Sequence, residues 1–115
     1  MTQDELLALI DQAAAEGWKE LDLSGQGLTE LPPELGQLTQ LETLILGKVD
    51  RWDFPDGRLT SQLTTNSLTD LPVTLKTLKG LRTLDLSGNP FGKLPEVVLQ
   101  LETLTALRAS AINLK

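Results

Sequence analysis

The chain has 115 residues, enough for one domain with a modest core. A formal net charge of −6 disfavours nucleic acid and anionic membrane partners, both of which need clustered Lys and Arg. With neither His nor Cys, the sequence excludes a Ser-His-Asp triad, a catalytic thiolate and a typical zinc site.

The opening MTQDELLALI lacks the basic start of a signal peptide, and no apolar run approaches a membrane span. Together with the absence of cysteine, this predicts a cytoplasmic protein. Residues 2–16 read as an amphipathic helix. Thr2 and Glu5 have capping-box spacing, Asp4 and Glu5 suit the helix N-terminus, and Gly17 can end it. Leu6, Leu9, Ile10 and Ala13 make one apolar face, which is expected to cover the edge of the structure begun at Trp18.

From Trp18 onward the chain is repetitive. Leucine accounts for 27 residues, and the bias has a period. WKELDLSGQGLTELPPELGQLTQ from Trp18 and LRTLDLSGNPFGKLPEVVLQLET from Leu81 share apolar residues at offsets 0, 3, 5, 10 and 13, with Pro at 14. Repeat 1 therefore spans 18–40, repeat 2 spans 41–80, repeat 3 spans 81–103, and 104–115 is a partial fourth. Repeat 2 is longer than its neighbours. Leu46 to Asn66 is 20 positions where Leu86 to Asn89 is three, so 17 residues are inserted with the period intact on both sides.

The pattern LxxLxLxxNxLxxLPxxLxxLxx resembles the leucine-rich repeat over residues 18–115. That resemblance implies an α/β solenoid: a short parallel concave sheet, helical or 3-10 turns on the convex side, an N-terminal capping helix, and an insertion in the second repeat. Alternation at Leu21/Leu23, Leu44/Leu46 and Leu84/Leu86 turns one face of each strand inward. Asn66 and Asn89 follow their strands, where a buried amide can satisfy backbone groups left by the turn. Leu35/Leu38 and Leu75/Leu78 have the spacing of one helical turn. Three positions depart from the pattern: Gln26 replaces asparagine, Ala109 a strand leucine, and Ile112 another asparagine. The last repeat stops at Lys115, which favours a piece of a longer chain. Its exposed edge at Leu104, Leu107, Ile112 and Leu114 is expected to self-associate.

Little in the sequence carries chemistry. Gly47-Lys48 lacks the spaced glycine and Ser or Thr of a phosphate loop, and Asp50, Asp53 and Asp56 lack calcium-loop spacing. Asp22 and Asp85, read as exposed, lie two strands apart, too far for a retaining carboxylate pair. No enzymatic activity, cofactor or metal is expected. The strand positions between the leucines remain as contact candidates, with Glu20 and the row Asp22, Ile45, Asp85 and Arg108 foremost. A second row, Ser24, Gly47, Ser87 and Ser110, is uniformly small and reads as close strand packing.

The insertion GKVDRWDFPDGRLTSQLTTN, about 47–65, has the signature of a hairpin turning at Pro55-Asp56-Gly57. Trp52 and Phe54 on one arm would share an apolar face with Leu59 and Leu63 on the other. That face either packs on the sheet or leaves Arg51, Trp52 and Phe54 as a protein anchor. A capped helix followed by repeats and a charged-aromatic hairpin is similar to the N-terminal repeat region of bacterial Roco (Ras-of-complex/COR) proteins. The resemblance implies a recognition or regulatory arm for a GTPase encoded downstream. The expected function is protein binding. The alternatives are an oligomerisation element using the C-terminal edge and the substrate half of a ubiquitin-ligase effector, which the 23-residue period disfavours.

Overall fold

The computed structural model describes residues 1–53, 60–91 and 93–109, with backbone alone for 49–53 and 60–64. The chain begins with helix α1 (Gln3–Glu16), fixed at both ends by local chemistry. The Thr2 hydroxyl accepts from the Glu5 N–H while the Glu5 carboxylate accepts from the Thr2 N–H, each at 3.1 Å. Gly17, at φ 66°, takes the left-handed conformation that lets its N–H reach the carbonyls of Ala13 and Ala14. Leu6, Ile10 and Ala13 are buried against the first repeat, and Trp18 packs partly buried behind them. The helix thus keeps water from Leu21, Leu23 and Leu28, each burial contributing about 1.5–3 kcal/mol.

Strands β1 (Glu20–Asp22), β2 (Thr43–Asp53), β4 (Thr83–Leu86) and β5 (Ala106–Arg108) form one parallel sheet in the order β1-β2-β4-β5. Leu21 pairs with Leu44, Leu44 with Leu84, and Leu84 with Leu107, so equivalent leucines stack repeat upon repeat. The return path runs through 3-10 helical turns at Pro33–Gln37, Val73–Thr77 and Glu96–Gln100. A proline precedes each turn, with its fixed φ suited to that position. Leu35, Leu75 and Val98 enter the core from them. Threonines tie adjacent turns: Thr74 Oγ1 donates to the Pro33 carbonyl at 2.7 Å and Thr77 Oγ1 to that of Gly36 at 2.8 Å. Among the described residues, no helix is long and apolar enough to cross a membrane.

The insertion is a hairpin. β2 runs on beyond the sheet and pairs antiparallel with β3 (Thr60–Thr64), with Lys48 opposite Thr64 and Trp52 opposite Ser61. A bulge between Val49 and Arg51 breaks the register, an irregularity that simple alternation does not anticipate. The expected Pro55-Asp56-Gly57 turn and the apolar face of Trp52, Phe54, Leu59 and Leu63 lie outside the described residues.

Candidate functional site

Strand register places the candidate positions in rows across the open face of the sheet. Glu20, Thr43, Thr83 and Ala106 form one row, and Asp22, Ile45, Asp85 and Arg108 the next. Glu20, Asp22 and Arg108 are exposed and Ile45 is half-buried. Asp85 corrects the expectation of a second exposed carboxylate: it retains only 5 % of its accessible surface. β4 is flanked on both sides, whereas Asp22 stands on the edge strand β1. Both aspartates do the same local work. In each, Oδ1 accepts from the N–H and hydroxyl of the serine two positions on, Ser24 or Ser87, closing the turn after the strand.

Asp22 has a further partner. Lys48 at the root of the hairpin donates to its Oδ2 at 3.0 Å, joining the insertion to the first strand. Burial alone raises the Asp22 carboxyl, but the Ser24 bonds and the Lys48 charge outweigh it and hold the group below its ordinary value. Lys48 escaped the sequence reading. Its signal was its position directly after Gly47, where the insertion leaves a strand neighbouring an acidic one.

Gly47 explains the small row. A Cβ there would lie 1.9 Å from the Ser87 carbonyl oxygen and 2.7 Å from Thr65 Oγ1. Ser24 and Ser87 beside it are buried, while Ser110 lies outside the described residues.

Beneath this face runs an amide ladder. Asn66 Oδ1 accepts from the N–H groups of Gln26 and Leu28, and its Nδ2 donates to the carbonyls of Leu23 and Leu46. Asn89 repeats the device one rung later, donating to Leu46 and Leu86 and accepting from Leu68 N–H. Gln26 makes only a 3.3 Å bond to Ser24, because the first repeat has a helix rather than another strand behind it. The sequence profile described as Leucine Rich Repeat matches residues 17–38 and 80–101, the two repeats without the insertion. Those two repeats are leucine-rich repeats.

Relatives place that assignment in context. The probable serine/threonine-protein kinase pats1 of Dictyostelium discoideum is 33 % identical over 110 residues. The match takes in 85 % of this chain and 4 % of that protein, so the chain spans a small fraction of its relative's length. The Leptospira interrogans LRR protein LIC12759, a solved structure, shares 28 % identity over 87 % of this chain and 33 % of its own, with a TM-score of 0.39.

On this leucine-rich repeat sheet, Glu20, Asp22, Ile45 and Arg108 share one face, and Asp85 sits sunk among them. The backbone sets Arg51 opposite Gln62 and Trp52 opposite Ser61 on the hairpin, beyond Lys48. The side chains of Arg51 and Trp52, and Phe54 altogether, lie outside the described residues. The face thus presents charges held apart around one aliphatic side chain on a fixed sheet.

Proposed function

We propose that this chain is a non-enzymatic protein-recognition module that binds through the open face of its leucine-rich repeat sheet. The observation supporting this is the row Asp22, Ile45, Asp85 and Arg108, held in register by four strands with an acid at one end and a cation at the other. Backbone fixed by the ladder lets such side chains bind at a low ordering cost. The hairpin, rooted through Lys48, is the second contact element of this proposal, with Arg51, Trp52 and Phe54 as the residues to test. The test is photo-crosslinking from position 45 and, for comparison, from convex Val73, followed by affinity measurement with the purified partner. Arg108→Glu and Ile45→Asp are expected to weaken binding about tenfold or more. Crosslinks arising equally from position 73 overturn the assignment to the open face.

The module serves, in this reading, as the recognition or regulatory segment of a larger cytosolic bacterial protein of the Roco type. The resemblance of helix, repeats and hairpin supports it, as does a relative in which the matched region is 4 % of the protein. A gene whose reading frame also encodes a Ras-like GTPase domain supports this; one that encodes none overturns it.

One observation favours a second reading, assembly through the sheet edge. Among the described residues β5 pairs with β4 alone, and Leu107 keeps 41 % of its surface exposed where its equivalents Leu44 and Leu84 have none. Ile112 and Leu114, named with it, lie outside the described residues. Sedimentation of wild type and Leu107→Lys tests this. A defined oligomer lost in the variant supports it, and a monomeric wild type excludes it.

A further inference from the structure

The flank where the chain passes from the second 3-10 turn back into β4 carries an arrangement that the open face does not use. Lys76, Lys79 and Arg82 are arrayed within seven residues of a chain whose net charge is −6. Two open troughs run along this flank. One, of about 580 Å³, is lined by Lys76, Lys79, Leu78 and Leu101; the next, of about 430 Å³, by Lys79, Arg82 and Gly80. Lys79 and Thr103 border both, so the troughs adjoin.

Glu102 lies on the wall of the first trough and Glu42 on that of the second, but neither forms an ion pair with these cations. Among the described residues, Lys19 pairs with Glu42 and Lys48 with Asp22, but no carboxylate pairs with Lys76, Lys79 or Arg82. Their backbone is nevertheless firmly placed. The Arg82 N–H donates to the Glu42 carbonyl at 2.8 Å, while its own carbonyl accepts from the N–H groups of Thr105 and Ala106. Lys79 N–H closes onto Thr77 at 2.9 Å. Three cations on fixed backbone beside the leucines Leu78 and Leu101 match an extended segment that carries spaced carboxylates between polar and apolar residues.

We infer that this flank trough is a second docking surface, distinct from the open face, and that its occupant is an acidic, extended segment of a protein partner. Nucleic acid is disfavoured because three cations sharing their walls with Glu42 and Glu102 are too few to follow a continuous phosphate backbone, whereas a segment with spaced carboxylates needs only a few contacts. Glu102, also on the wall of the trough, limits affinity and supplies a gain-of-function variant.

The experiment is fluorescence anisotropy of the full chain with a labelled dodecapeptide repeating Glu-Ser-Leu, at low ionic strength. Wild type is expected to bind it and to ignore the Lys-Ser-Leu counterpart. Lys79→Glu combined with Arg82→Glu weakens binding about tenfold or more, and Glu102→Lys tightens it about threefold. Ile45→Asp on the open face leaves it unchanged, which separates failure of this surface from failure of that one. Neutral Lys79→Gln with Arg82→Gln, checked for an unchanged melting temperature, stands in if the charge reversals fail to fold. Equal affinity in wild type and the flank variants overturns the inference. Equal binding of a dodecameric oligothymidylate does so too, since the flank would then be a non-selective anion patch.

Discussion

Asn66 donates its side-chain amide to the carbonyl of Leu46 at 2.9 Å, reaching back 20 positions over the whole insertion. The chain therefore leaves the ladder and rejoins it at one rung. Asn66→Ala would strip partners from the Gln26 and Leu28 N–H groups and from the Leu23 carbonyl, while Leu46 keeps Asn89 at 3.1 Å. Each buried group left unpaired costs about 1–3 kcal/mol, so the variant should lose at least about 3 kcal/mol in urea denaturation. Gln26→Ala should lose under about 1 kcal/mol, since its single side-chain bond is long.

Two glycines make an opposed pair. Gly47→Ala drives a Cβ into the Ser87 carbonyl and is expected to cost about 3 kcal/mol or more, because the obstacle is backbone in the centre of the sheet. Gly27→Ala meets nothing within 4 Å and is strained only by its φ of +70°, for about 1–2 kcal/mol. Thermal melting of both distinguishes crowding from backbone strain.

Excision of residues 48–64 leaves Leu46-Gly47-Thr65-Asn66, the spacing of Leu86-Ser87-Gly88-Asn89. The bonds of Asn66 all lie within the repeats, so the shortened chain should fold cooperatively with a melting temperature within about 5 °C of wild type. A broad or absent transition would show that the hairpin supports the core. Trp52→Ala adds the complementary measurement, weaker partner binding with near-wild-type melting if Trp52 is an anchor.

Acid should disclose the Asp22 contact. Its folded carboxyl is held below the ordinary aspartate value of 3.8, so its contribution is complete above that value and is lost as pH falls through the lower folded one. Asp22→Asn should flatten the fall in stability below about pH 4, by less than about 1 kcal/mol because the pair is more than a third exposed. Lys48→Gln should remove part of the same dependence. High salt should weaken the Lys48 share while leaving the Ser24 bonds in place.

The period of the leucines, the site of the insertion, the capping box and the two asparagines were all legible, because each depends on spacing along one strand or turn. Asp85 was not. Its stretch Leu84-Asp85-Leu86-Ser87-Gly88 copies Leu21-Asp22-Leu23-Ser24-Gly25, yet its place between two strands buries it while the edge leaves Asp22 exposed. The ion pair of Lys48 and the crowding at Gly47 escaped for a related reason. Both depend on which neighbouring repeat lies alongside, 26 positions away for Lys48 and Asp22. The bulge between Val49 and Arg51 shifts one arm of the hairpin, and nothing in the alternation of that arm marks it.

Because the insertion departs and returns at one rung, tension applied along the solenoid bypasses it. The Leu46–Asn66 bond closes the loop at its root and the β2–β3 ladder closes it above, so a pulling force would have to break both before the loop was released. Its 17 residues amount to about 60 Å of hidden contour length.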